Sequence, residues 1–199
     1  MIAILEQVKN FKSEISLDSL SDFVNRIDCG SVEYVNFIAP PEEEGGYGRH
    51  ICCEDPFECV VVHWPPGVQS AVHLHDGLIG CVLVLEGQLE NITYKESTGL
   101  LQEVEREIYN VGECMDEEDG AIHMLCNHSA EKRAVTLHFY SPAMASFDDM
   151  RIYNTETGDI GVLNDKATAA VWSEDETLYK QLLRKAFTFV PLTSSLKGN

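Results

Sequence analysis

The sequence predicts an all-β fold with helices at its N-terminus and a short helix near its C-terminus. Three observations carry that reading. From Phe57 onward the chain breaks into short runs rich in β-branched and aromatic residues, separated by Gly, Asn, Asp and Pro. Strands of a sandwich or barrel are punctuated in this way. The first ~30 residues instead place apolar side chains three and four positions apart, the period of a helix. Near the other end, Ser173 precedes Glu176 at the spacing of a capping box, ahead of an amphipathic stretch.

Taken in order, residues 1–30 hold two one-sided helical patterns, "ILEQVKNFKSEI" and "SLDSLSDFVNRI", which "DCG" stops. Residues 40–47, "PPEEEGGY", form an acidic loop rich in Pro and Gly. The strands read "FECVVVHW", "SAVHLH", "GCVLVLEGQLENITYK", "LQEVEREIYN", "AIHMLCNHS", "AVTLHFYS" and "MRIYNTET". "SEDETLYKQLLRKAF" reads as the closing helix. There is no internal repeat and no low-complexity segment, so residues 1–199 are expected to form a single domain, with the barrel at about 47–165.

Composition narrows the function classes. With 33 acidic against 14 basic residues the formal charge is −19, which repels polyanions and argues against nucleic acid and anionic membrane as partners. "MIAILEQVKNFK" lacks the basic and apolar regions of a signal peptide, and no apolar run approaches the ~18 residues of a membrane span. A cytoplasmic monomer is expected. The 7 cysteines are irregularly spaced with no CxxC, so buried, reduced thiols are expected rather than a disulfide or zinc framework.

The chemistry begins at "GVQSAVHLHDGLIGCVLVLEG", residues 67–87. Alternation along a strand puts His73 and His75 on one face, close enough to share a metal ion. Their surroundings carry more information than the pair. Gly67, His73, His75, Gly80 and Gly87 resemble the first motif of the cupin barrels, with Gly80 where many cupins place a glutamate ligand. Gly112, Gly120, His123 and Asn127 resemble the second motif, with Glu118 in place of its proline. The resemblance implies a cupin jelly-roll β-barrel in which His73, His75 and His123 converge on one metal. Without the glutamate this would be three neutral imidazoles and no carboxylate, a centre that favours an anionic donor such as a thiolate. Zinc chemistry also uses three histidines, so the ligands alone leave the metal open.

In "AVTLHFYSP", Thr136, His138 and Tyr140 share one strand face, opposite Val135, Leu137 and Phe139. Polar groups on a buried face need partners. Together "HLHDGLIGC", "AIHMLCN" and "TLHFYSP" resemble the thiol dioxygenases, and cysteine dioxygenase in particular, over about Tyr47 to Gly158. The resemblance implies one Fe(II) per chain on His73, His75 and His123, with L-cysteine and dioxygen as substrates and cysteine sulfinic acid as product. It assigns Tyr140 and His138 to catalysis, and Arg49, Tyr47 and Tyr140 to substrate binding. Arg49 would grip the substrate carboxylate, for which a planar guanidinium is suited. It also implies a cis Ser141–Pro142 bond. A cysteine cross-linked to the tyrosine, found in animal members, is replaced by Gly80, with Cys81 expected to point away. Met150 replaces a family cysteine near the pocket. Two alternatives stand beside this reading: a dioxygenase for 3-mercaptopropionate or another mercapto acid, where glutamine typically replaces the arginine, and a metal-holding cupin without turnover.

Overall fold

Eight consecutive strands carry the architecture: β2 (Glu58–Trp64), β3 (Val72–Leu74), β4 (Ile79–Glu86), β5 (Gln88–Ser97), β6 (Leu100–Asn110), β7 (Cys114–Glu117), β8 (Ile122–Cys126) and β9 (Ala134–Ser141). They sort into two sheets, β2-β9-β4-β7 in one and β3-β8-β5-β6 in the other, with every consecutive pair but the β5–β6 hairpin crossing between them, which is jelly-roll connectivity. The cupin-type barrel expected from the motifs is therefore present. This computed structural model describes residues 1–42, 45–144 and 146–192; residues 43 and 44 of the expected acidic loop lie outside the described residues.

Five further strands extend the sheets. β1 (Gly48–Cys53) pairs antiparallel with β2, making the first sheet five-stranded. β10 (Arg151–Asn154), β11 (Asp159–Leu163) and β12 (Tyr179–Leu183) extend the second beyond β3, while β13 (Thr188–Val190) adds in parallel to β6 at the far edge. The eight-stranded sheet thus ends on two strands with only residues 184–187 between them in sequence, so it must curl until its edges approach. The expected run 80–95 is two strands turning at Gly87, whose φ of +77° favours glycine.

The expected C-terminal helix is absent. Residues 176–178 form one 3-10 turn capped by the Asp175 side chain, and β12 follows directly. The apolar spacing of "LYKQLLRKAF" suits a helix locally, but hydrogen bonding along the open edge of β11 and burial of Tyr179 outweigh it. The N-terminal helices are present as α1 (Ile2–Lys9) and α2 (Leu17–Val24), the second opened by a capping box between Ser16 and Ser19. Among the described residues no helix is long and apolar enough to cross a membrane.

The five-stranded sheet has two different faces. Its outer face, with Cys59, Val61, Cys81, Leu83, Val135, Leu137 and Phe139, packs against Ile4, Val8, Leu20, Phe23 and Val24 of the helices. Its inner face, with Val60, Val62, Trp64, Val82, Val84 and Met115, meets Leu89 and Leu125 of the second sheet inside the barrel. Behind the second sheet, Ile92, Tyr94, Leu101 and Ile122 are covered by the C-terminal Phe187 and Phe189. Cys81 and Cys114, on adjacent β4 and β7 with Cα atoms 6.7 Å apart, form a sulfur–sulfur pair, which corrects the expectation of seven separate thiols. Spacing in sequence could not show it, because antiparallel pairing brings distant positions side by side. Cys29, Cys52, Cys53, Cys59 and Cys126 are free.

Candidate metal centre

Strand pairing places the three histidines. His73 on β3 lies directly opposite His123 on β8, and His75 follows β3, held by its backbone N–H to Ala121. All three are buried, and their Nε2 atoms converge: 3.0 Å between His73 and His75, 3.2 Å between His73 and His123, and 3.0 Å between His75 and His123. Two rings are fixed through their other nitrogen. His73 Nδ1 donates to Ala71 O at 2.9 Å and His123 Nδ1 to Asn91 Oδ1 at 2.9 Å, which leaves both Nε2 lone pairs facing the centre.

Burial holds His73 down to about 4 and pushes His75 and His123 well below the ordinary range, so all three are neutral. Lone pairs converging this closely repel unless a cation lies between them, so the residues fit a divalent metal. At metal–nitrogen distances of about 2.1 Å, ligands at right angles stand about 3.0 Å apart and tetrahedral ones about 3.4 Å. The observed separations are nearer the right-angled set, which leaves room for further ligands on one side.

A fourth group, Glu117 at the end of β7, was not anticipated. Its side chain is buried, with Oε1 3.6 Å from His123 Nε2 and Oε2 3.6 Å from His75 Nδ1. Neither oxygen nor His75 Nδ1 has a hydrogen-bond partner among the described residues. Burial raises the Glu117 carboxyl to about 8. The three histidines therefore have a buried carboxyl group beside them. Glu117 shares its strand face with buried Met115, a parity visible in "CMDE", but its place beside the histidines follows from the β4–β7 register, which the sequence does not state.

The inner face of β9 carries a hydrogen-bonded chain. Trp64 Nε1 donates to Thr136 Oγ1 at 2.9 Å, Thr136 Oγ1 lies 2.7 Å from His138 Nε2, and His138 Nδ1 lies 2.7 Å from the Tyr140 hydroxyl. Indole can only donate, so Thr136 accepts from it, and the hydroxyl keeps a second lone pair and its own hydrogen for the contact with His138. Burial pushes His138 down to about 3, so the ring is neutral and bonds Thr136 through one nitrogen and Tyr140 through the other. Burial first, then Glu117, raises Tyr140 well above its usual range, so the phenol keeps its proton. The chain ends on the Tyr140 hydroxyl, which lines the cleft and lies beside the Glu117 carboxyl.

That cleft is small, about 30 Å³, and is lined by His73, His75, His138, Tyr140, Tyr47 and Arg49, with Met144, Phe147 and Met150 on its far side. Arg49 lies within β1, a strand the sequence reading did not recognise. Its Nη2 donates to buried Glu58 at 2.9 Å, and its guanidinium lies 4.8 Å over the Phe147 ring. Glu58 also accepts from the Met144 N–H, so the pair is fixed. Tyr47 accepts from Ala170 N–H at 2.8 Å. Every sequence-predicted site residue but His123 thus lines one cleft, and His123 joins it through its contacts with His73 and His75. The neighbouring His50 instead faces Phe37.

Gly80 has a defined reason to be glycine. A Cβ there would stand 2.6 Å from Tyr140 Cε1 and 2.8 Å from Glu117 Oε2. Cys81 lies on the outer face, so no sulfur is placed to bond Tyr140, and Ser141–Pro142 is cis as expected.

The family described as cysteine dioxygenase type I matches residues 3–155. Among solved structures, a Klebsiella pneumoniae protein with a double-stranded β-helix domain is 18% identical, covering 68% of this chain and 95% of its own, at a TM-score of 0.42. A Thermus thermophilus protein is 19% identical over 56% of this chain and 97% of its own, at 0.45. The cupin domain of Schizosaccharomyces pombe Cnp3 is 16% identical over 47% and 63%, at 0.39.

Proposed function

This chain belongs to the cysteine dioxygenase type I family, and from that premise we propose that it is an Fe(II)-dependent thiol dioxygenase converting L-cysteine to cysteine sulfinic acid. The observation that carries the reading is the convergence of three neutral histidines on a cleft that also presents Tyr140 and Arg49. His73, His75 and His123 would hold the iron. When bound, Fe(II) supplies the electron exchange that lets dioxygen react with a thiolate.

The balance is simple. The thiol gains both oxygen atoms of O₂ in two S–O bonds; sulfur loses four electrons and dioxygen gains four. No outside reductant is needed, and the thiol proton ends on the sulfinate or in water. Arg49 would bind the substrate carboxylate through N–H groups other than the one held by Glu58. That fixes one end of the substrate while the sulfur faces the histidines. Tyr140 would offer its hydroxyl hydrogen to sulfur or oxygen as negative charge develops, with the position of its oxygen held by the Trp64–Thr136–His138 chain. Val62, Trp64, Leu125 and Phe147 keep the cleft apolar and limit water. The small free volume suits a small thiol, and Met144 and Met150 are flexible enough to yield to one.

The test is to strip the protein with a chelator, refill it with Fe(II) or Zn(II), and offer L-cysteine, cysteamine, 3-mercaptopropionate and mercaptosuccinate. Oxygen uptake matched one-to-one by sulfinate, with iron only and fastest for L-cysteine, is the expected result. A preference for 3-mercaptopropionate would move the assignment to the mercapto acids, and no uptake with any thiol would remove it.

A further inference from the structure

Four carboxylates are buried among the described residues: Glu58, Glu103, Glu117 and Asp159. Three have a cation. Glu58 is held by Arg49 at 2.9 Å, Glu103 by Arg106 at 2.5 Å, and Asp159 by Arg184 at 2.9 Å. Glu117 is 2% exposed, faces neither lysine nor arginine, and has no hydrogen bond to either oxygen. An isolated carboxylate in such surroundings is costly unless a positive charge joins it. Beside it lie His123 Nε2 and His75 Nδ1, each at 3.6 Å, and the Tyr140 hydroxyl.

We propose that Glu117 is a fourth protein ligand of the metal held by His73, His75 and His123, its carboxylate delivered from β7 into space that Gly80 leaves open. The inference rests on the three-histidine metal centre and not on the thiol chemistry assigned to it. Register places Gly80 of β4 opposite Glu117 of β7. A Cβ on residue 80 would meet Glu117 Oε2 at 2.8 Å, closer than real Cβ contacts come, so any side chain there would displace the carboxylate. The barrel thus exchanges a side chain on one strand for a carboxylate from its neighbour. Oε1, 3.6 Å from the metal-facing nitrogen of His123, is on the ligand side of the carboxylate. Oε2, 3.6 Å from His75 Nδ1, lies beside the one histidine whose second nitrogen has no partner. One group therefore answers two unsatisfied needs: it supplies a negative donor to the metal and an acceptor for the His75 N–H. The bound site would carry three imidazoles and one carboxylate, lowering the metal's net charge by one and leaving two of six positions for other ligands.

The test uses the full-length, metal-free protein titrated with Co(II), whose visible spectrum reports its ligands, without any thiol. Wild type, Glu117→Gln and Glu117→Ala are compared, with circular dichroism confirming that each is folded. Loss of at least about tenfold in Co(II) affinity in both variants, together with a changed visible spectrum, is expected. Acetate added to the Co(II)-loaded Glu117→Ala protein should move its spectrum back toward wild type. Affinities within twofold of wild type with superimposable spectra would overturn the proposal. So would weaker binding with an unchanged spectrum, because Glu117 would then act only by positioning His75. Should Glu117→Ala fail to fold, the near-isosteric Glu117→Gln decides alone by the same two readouts. Thiol oxidation can fail in its own assay and leave this result standing, and the reverse holds as well.

Discussion

On β9 the odd-numbered Val135, Leu137 and Phe139 pack beneath the N-terminal helices, while the even-numbered Thr136, His138 and Tyr140 face the barrel interior, the last two lining the cleft. Both sets hang from one backbone and are equally buried, yet they are held differently. Phe139 sits edge-on to Phe23 and Phe57, at 5.6 and 6.1 Å between ring centroids, in contacts that depend on shape. His138 is held by two hydrogen bonds, one through each ring nitrogen. Loss of a side chain leaves a void on the outer face and an unpaired polar atom on the inner one. The first is read in stability, the second in metal content or rate.

The largest test of this difference lies on the inner side. His123→Ala should fall from one metal per chain to none after stripping and refilling, while its far-ultraviolet circular dichroism stays that of the wild type. Full occupancy in that variant would show that the three histidines are not the site. Next is the outer face: Phe139→Ala should lose about 3–5 kcal/mol in urea unfolding while metal per folded chain is kept. Depleted metal there would mean that the two faces are coupled through β9. Tyr140→Phe should keep its metal and most of its stability but lose about 10–100-fold in kcat/KM for L-cysteine. An unchanged rate would make the hydroxyl a structural group.

Arg49 asks for more care, because Arg49→Ala alone would leave Glu58 buried and unpaired. The paired change Arg49→Gln with Glu58→Gln removes both charges. A charge-assisted hydrogen bond of about 1.5–3 kcal/mol predicts at least a roughly tenfold loss in kcat/KM for L-cysteine. Cysteamine, which has no carboxylate, should change little; equal losses for both thiols would end the case for Arg49 as the clamp. The smallest expected effect is none: the Tyr140 peptide should have its unmodified mass, because Gly80 offers no sulfur. A thioether adduct on Tyr140 would contradict the placement of Cys81 on the outer face.

What could be read from the sequence was what obeys local period. The parity of β9, the shared face of His73 and His75, and the glycine spacing are one-dimensional facts, and the structure keeps them. The site residue that escaped, Glu117, depends on which strand lies beside β4, a relation fixed by folding. The same applies to the Cys81–Cys114 pair. β1 was missed because "GRHICC" alternates weakly and gains its pairing from β2. The C-terminal helix failed for the opposite reason. Its local pattern was clear, but an open strand edge offered that backbone a better set of partners.

That edge has a consequence for how the chain reaches its final form. β12 and β13 occupy opposite borders of the eight-stranded sheet, although they are almost consecutive in sequence. Neither border can be completed until the ribosome has released the stretch Tyr179–Val190. Until then Ile92, Tyr94, Leu101 and Ile122 lack the cover of Phe187 and Phe189. Pairing β13 with β6 closes a long loop, the kind of contact that forms slowly. The nascent protein therefore passes through a stage in which the barrel's histidines are already synthesised while an apolar strip and two strand borders still face water. At that stage the chain's main hazard is another copy of itself.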